Sequence, residues 1–179
     1  MIKVGRFIAM TTVLAALCAT ATQAQGKDKK GVGWLTPEEM SVRFAETKLP
    51  ILVDVFTNWC GFCKVMDKKT WKNDSVAAYV NSHFYTVKID AESRQPYLWM
   101  GTQYNFEERY KANMLAVKLL EGRMSYPSTI IIPEKGEPEI IQGAFTPAEL
   151  EVVLKYYGGK TNETIPPQQF QKKFKGNWK

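Results

Sequence analysis

The stretch ILVDVFTNWCGFCK, Ile51 to Lys64, decides the reading of the fold. Ile51 to Phe56 is apolar apart from Asp54, the pattern of a strand covered on both faces. The segment from Cys60 to Trp71 then reads as a helix, so Cys60 stands at a strand-to-helix junction and Cys63 one turn inside. Two cysteines so spaced can be a redox pair, half of a zinc site or a structural disulfide. A disulfide closing so short a loop removes little entropy from the unfolded chain, which leaves a purely structural role poorly motivated.

At a helix N-terminus the sulfur of Cys60 meets unpaired backbone amides and the positive end of the helix dipole, both of which stabilise a thiolate. Cys60 is therefore the expected attacking thiol, and Cys63 the thiol that resolves the mixed disulfide. Resolution needs a proton acceptor. Asp54 interrupts the apolar strand, and a carboxyl buried there has its proton affinity raised toward the range useful for proton transfer.

The start of the chain bears on where the cysteines work. Lys3 and Arg6 precede an apolar run from Phe7 to Ala19, and Thr22 and Ala24 offer a cleavage point, so residues 1–24 read as a secretory signal peptide. Leu17 sits where lipoprotein processing at Cys18 needs a small residue, so Cys18 reads as part of the signal. Cleavage leaves about 155 residues, the size of one domain with its own core. It also leaves Cys60 and Cys63 as the only thiols, in an oxidising periplasmic or extracellular setting. The remaining 22 basic and 18 acidic residues, a net charge of +4, are too balanced and scattered for a nucleic-acid partner. Lys27, Lys29 and Lys30 read as a solvated leader over residues 25–33.

Two segments share a helix-start signature, Thr36-Pro37-Glu38-Glu39 and Thr146-Pro147-Ala148-Glu149: a capping threonine, proline in the first turn and a glutamate that reaches back. The second continues with Leu150, Val153, Leu154 and Tyr157 at helical spacing, and Gly158-Gly159 stops it. Strands are expected at Ile51–Phe56, Phe84–Ile89, Ser128–Ile132 and Glu139–Gln142. Further helices are expected at Val76–Ser82 and about Glu107–Glu121. The pattern describes an α/β domain with a mixed central sheet flanked by helices. Residues 91–106, rich in Tyr97, Trp99, Tyr104 and Phe106 and broken by Pro96 and Gly101, read as aromatics that hold an irregular segment down. Thr161 to Lys179 reads as a wrapping or frayed extension, and its Asn162-Glu163-Thr164 triplet as a chance match to a glycosylation signal.

ILVDVFTNWCGFCK resembles the active-site segment of the thioredoxin family, including the buried acid and the tryptophan before the first cysteine. SYPSTIII, Ser125 to Ile132, resembles the family's cis-proline loop, and IQGAFTPAELEVVL, Ile141 to Leu154, its last strand, glycine turn and final helix. The likeness spans about Trp34 to Gly159. It implies a thioredoxin-like fold at 34–159 with an extended helical insertion at 91–122 before the cis-proline strand, and a C-terminal extension at 160–179.

By the same resemblance, Tyr126-Pro127 is a cis bond facing the cysteines, and Trp59, Gly61, Phe62, Tyr126 and Pro127 form the surface that holds an extended substrate. The cofactor is then the Cys60-Cys63 disulfide itself, with no metal, and the partners are disulfide-containing proteins and a membrane thiol-electron donor, the protein being a monomer. This chain departs from thioredoxin in Gly61-Phe62 between the cysteines, in Lys68 where thioredoxin has a helix-kinking proline, and in the longer segment after Ala91. Aligning VKID, Val87 to Asp90, with the family puts Thr86 where its lysine partner of the buried acid stands, with Lys88 two residues later. The departures resemble exported thioredoxin-like proteins, which implies a reductase or isomerase of protein disulfides. Two other readings stay open: a thiolate site for copper or zinc, whose one histidine, His83, lies at a helix end, and a thioredoxin-like binding module without redox activity.

Overall fold

The two threonine-proline signatures each start a helix in the computed structural model, which describes residues 31–179. Expectations for the signal peptide, for Cys18 and for Lys27, Lys29 and Lys30 lie outside those residues. At α1 (Pro37–Glu46) the Thr36 hydroxyl accepts the Glu39 N–H at 3.1 Å while the Glu39 carboxylate accepts the Thr36 N–H at 2.9 Å. The same box opens the helix at Pro147–Gly158, with the Glu149 carboxylate 2.7 Å from the Thr146 nitrogen. Each box satisfies donors that a helix start otherwise leaves to water.

The sheet has four strands: β1 (Ile51–Phe56), β2 (Tyr85–Asp90), and two later ones at Ser128–Ile132 and Glu139–Gln142. β1 is central, pairing parallel with β2 and antiparallel with Ser128–Ile132, which in turn pairs antiparallel with Glu139–Gln142. Parallel pairing needs a crossover, supplied by α2 (Gly61–Met66) with its continuation to Trp71 and by α3 (Asp74–His83). Because strand side chains alternate, β1 sends Ile51, Val53 and Val55 into one core and Leu52 into the other. The first core lies under α1 and the residues after β2; the second gathers Met66, Trp71, Val76, Val80, Leu150 and Leu154.

The segment after Ala91 differs from the single helix expected over Glu107 to Glu121. It forms two small hairpins, β3 (Tyr97–Trp99) with β4 (Thr102–Tyr104) and β5 (Phe106–Glu107) with β6 (Ala112–Asn113). Only α4 (Met114–Leu119) is helical. The first hairpin turns on Met100 and Gly101, both at positive φ (49° and 78°), as a two-residue loop matched to strand twist requires. Asn113 starts α4 late: its Oδ1 accepts the Leu115 N–H at 3.0 Å, and its Nδ2 donates to the Ser93 and Gln95 carbonyls. Periodicity cannot reveal that tie across twenty residues. Trp99, Tyr97 and Tyr104 pack on the first core, as aromatics that hold the segment down.

The remaining elements are β7 (Ser128–Ile132), β8 (Glu139–Gln142), α5 (Pro147–Gly158) and α6 (Pro167–Lys173). At Gly158, the last residue of α5, a Cβ would come within 2.7 Å of the Phe84 ring, so close packing on α3 requires glycine there. The tail wraps rather than frays. Buried Glu151 on α5 accepts the Asn177 and Trp178 N–H groups at 2.7 and 2.8 Å, and the Trp178 ring meets Tyr79.

Candidate active site

Between β1 and α2 the chain turns through Thr57, Asn58 and Trp59, with the Cys60 N–H donating to the Thr57 carbonyl at 3.2 Å. Cys60 is the N-cap of α2, and its sulfur accepts the Cys63 N–H at 3.1 Å. Cys60 and Cys63 form a disulfide, their Cα atoms 5.3 Å apart. No acidic side chain occupies the first turn of α2, so nothing there opposes negative charge on the capping sulfur once the bond opens. Where thioredoxin has proline and this chain has Lys68, the helix widens into a π-helical stretch over Asp67–Trp71. Such widening re-aims side chains and is frequent at functional sites.

Asp54 lies on the face of β1 that looks toward α2, sharing it with Leu52. Register sets Asp54 between Lys88 on β2 and Thr129 on β7. The three form a polar row across the sheet, in the core that α2 covers. Lys88, not Thr86, is therefore the lysine partner of the acid: its Nζ is 2.9 Å from Asp54 Oδ2, whereas the Thr86 hydroxyl donates to the Gly33 carbonyl. The same ammonium also pairs with Asp67 from the π-helical stretch.

Burial pushes the Asp54 carboxyl above its ordinary proton affinity, the Lys88 charge pulls it back, and the Asp67 charge raises it further; the net direction is up. For Lys88, burial acts downward, but Asp54 and Asp67 outweigh it and hold the ammonium protonated. Asp54 Oδ1, the Thr129 hydroxyl and the Trp71 indole N–H are buried without a well-formed hydrogen bond, and the Trp71 side chain beside the carboxyl acts to lower its proton affinity.

Just before β7, whose Ser128 pairs with Val55 near the end of β1, Tyr126-Pro127 is a cis peptide bond. The Tyr126 ring meets Trp59 edge-on at 6.0 Å, and burial, then the Glu92 and Asp90 charges, push the Tyr126 hydroxyl up to about 12. Both sulfur-bearing residues are 4% exposed, whereas Trp59 and Phe62 are 66% and 72% exposed. The disulfide is thus a recessed group rimmed by aromatic surface. Gly61 is exposed and has no steric need for glycine, a Cβ meeting nothing within 4 Å.

The sequence reading missed three groups here. Glu92 accepts the Trp59 indole N–H at 2.9 Å, and Asp90 accepts from Asn58 at 2.9 Å; these link the rim to the segment after β2. Asp67 had a legible signal, being one helical turn beyond Cys63 and hence on the inward face. His83 stacks on Tyr79 at the end of α3, and among the described residues no group of three or more His, Cys, Asp or Glu side chains converges. No helix among the described residues is long and apolar enough to cross a membrane.

A family model with the description "Thioredox_DsbH: Protein of unknown function, DUF255" matches residues 19–157. A solved DsbH oxidoreductase is 16% identical, with a TM-score of 0.52 over 72% of this chain and 85% of its own, a likeness of fold. A solution structure from Bacteroides thetaiotaomicron, provisionally assigned as a disulphide-isomerase, is 28% identical with a TM-score of 0.50, covering 74% of this chain and 96% of its own. An uncharacterized Caenorhabditis elegans protein is 30% identical over 57 residues, a match spanning 32% of this chain and 8% of that relative.

Proposed function

The chain belongs to the Thioredox_DsbH family, and from that premise we propose that it is an exported thiol-disulfide oxidoreductase that reduces or isomerises disulfides in other proteins. The observation that carries this reading is the recessed Cys60–Cys63 disulfide at the start of α2, next to Trp59, whose ring meets Tyr126 of the cis Tyr126-Pro127 bond. In the reduced protein the Cys60 thiolate attacks a substrate disulfide, forming a mixed disulfide and releasing one substrate thiolate. Cys63 then gives its proton to Asp54, and its sulfur attacks Cys60. The Cys60–Cys63 bond forms, two electrons have passed to the substrate, and the second substrate thiolate leaves to be protonated.

Trp59, Phe62, Tyr126 and Pro127 supply the surface on which an extended segment around the substrate disulfide lies. Export follows from the signal peptide over residues 1–24, cleaved near Ala24, which would deliver the protein to the periplasm or the exterior. Repeated reduction there requires a membrane donor that restores the Cys60 and Cys63 thiols.

The test is reduction of insulin disulfides by the protein under dithiothreitol, together with its equilibrium against glutathione. Faster reduction than dithiothreitol alone, with a potential well below that of a strong oxidant, is expected. A potential near −120 mV would reverse the direction to oxidation.

A further inference from the structure

Lys88 is shared unequally in its surroundings. Asp54 is 3% exposed at its side chain, Lys88 20% and Asp67 37%, so the ammonium bridges a dry carboxylate and one that reaches solvent. The wet end opens into a cavity of about 320 Å³ between Trp34, Asp67, Trp71, Lys72 and Lys88. The rings of Trp34 and Phe56 lie 5.2 and 5.0 Å from Lys88 Nζ and confine it between the two acids. Asp67 is brought there by the π-helical stretch, in the same turn where Lys68 stands in place of a proline. Two carboxylates on one ammonium cannot both be fully neutralised, so each weakens the hold of the other.

We propose that Asp67 is a positioning residue for the redox chemistry, drawing the shared Lys88 ammonium partly off Asp54 and so setting the pH range in which Asp54 serves as base. This rests on the oxidoreductase reading for its consequence, but the electrostatic coupling stands without it. The groups facing Asp54 are Lys88 from β2, Asp67 and the Trp71 indole from the π-helical stretch and the uncharged Thr129 hydroxyl from β7; Lys72 lines the cavity. Without Asp67, Lys88 belongs to Asp54 alone, and the acid ionises more readily. Without Lys88, the Asp67 charge acts unopposed on the buried Asp54 carboxyl, and Asp54 holds its proton more tightly.

The experiment is a carbon NMR titration of the Asp54 carboxyl in the oxidised wild-type protein, in Asp67→Asn and in Lys88→Gln, with the pH profile of insulin reduction measured in parallel. Asp67→Asn should lower the Asp54 midpoint and shift the acid limb of the rate profile the same way, raising the rate severalfold below the wild-type midpoint. Lys88→Gln should move both upward. A merely structural role for Asp67 would lower rates at every pH without moving the midpoint. An unmoved midpoint in Asp67→Asn overturns the inference even when the wild type reduces insulin. A moved midpoint in a protein that reduces nothing upholds it and overturns the redox reading instead.

Discussion

The two faces of the central sheet are built from alternate residues of the same strands and serve different ends. Ile51, Val53 and Val55 on β1 and Val87 and Ile89 on β2 pack an apolar core without buried charge, with Leu115 and Ala116 of α4. Their neighbours Asp54, Lys88 and Thr129 form a polar row inside the other core, next to Leu52, Ile131 and Trp71. Burying an unsatisfied or charged group costs free energy that an apolar residue would not. A sheet that places its buried charges, Asp54 and Lys88, on one face and leaves the other with only hydrogen-bonded neutral groups such as Ser128 among its apolar residues confines that cost to the side that α2 and its cysteines cover. Stability should then be concentrated on the apolar face and redox chemistry on the polar one.

The strongest separation of the two is expected on β1 itself. Ile51→Ala, at a position 1% exposed, should lower stability by about 2–5 kcal/mol in denaturant titration and leave the exchange rate of the folded protein unchanged. A matching loss of exchange would show that the faces are not separable.

Three residues on, Asp54→Asn should do the reverse. Insulin reduction at neutral pH should fall by about 10²-fold, the loss of a general base. Stability should respond with a definite sign. The folded chain holds the Asp54 proton more tightly than the unfolded chain, whose value is 3.8, so this group's stability contribution is full below 3.8 and declines as pH rises through the folded value. The variant should therefore gain on the wild type as pH is raised from 4 to 8. A gain that shrinks with pH would contradict the assigned direction.

The smallest effect is expected away from both faces, at a helix cap. Thr146→Ala should cost about 1 kcal/mol and leave exchange untouched. Backbone and hydroxyl donation from Thr146 hold the Glu149 carboxyl below its ordinary 4.5, so the cap's carboxylate half is present above that pH and lost on acidification.

Much of this division can be read from the chain alone, because its causes are local. The threonine-proline caps act within four residues, the alternation along Ile51–Phe56 fixes the faces, and a lone acid in such a strand stands out. Tyr126-Pro127 became informative through its place before an apolar strand. What stayed hidden depends on long-range register and ties. The pairing of Asp54 with Lys88 follows from the alignment of β1 and β2, which no single strand specifies. The hairpins at Tyr97–Tyr104 and Phe106–Asn113 are held by Asn113 and by docking on α1, where Glu38 and Ser41 accept the Leu98 and Met100 N–H groups. Helical periodicity in Glu107–Glu121 is outweighed there by tertiary hydrogen bonds.

The most direct test of the central claim is to trap the first exchange step. Cys63→Ser, reduced and mixed with a disulfide-bonded peptide, should accumulate a mixed disulfide at Cys60, seen as one peptide mass added to the intact protein and mapped by digestion. Cys60→Ser under the same conditions should accumulate little or none, since Cys63 lies inside α2. An adduct of equal yield on Cys63, or none on Cys60, would contradict the assignment of Cys60 as the attacking thiol.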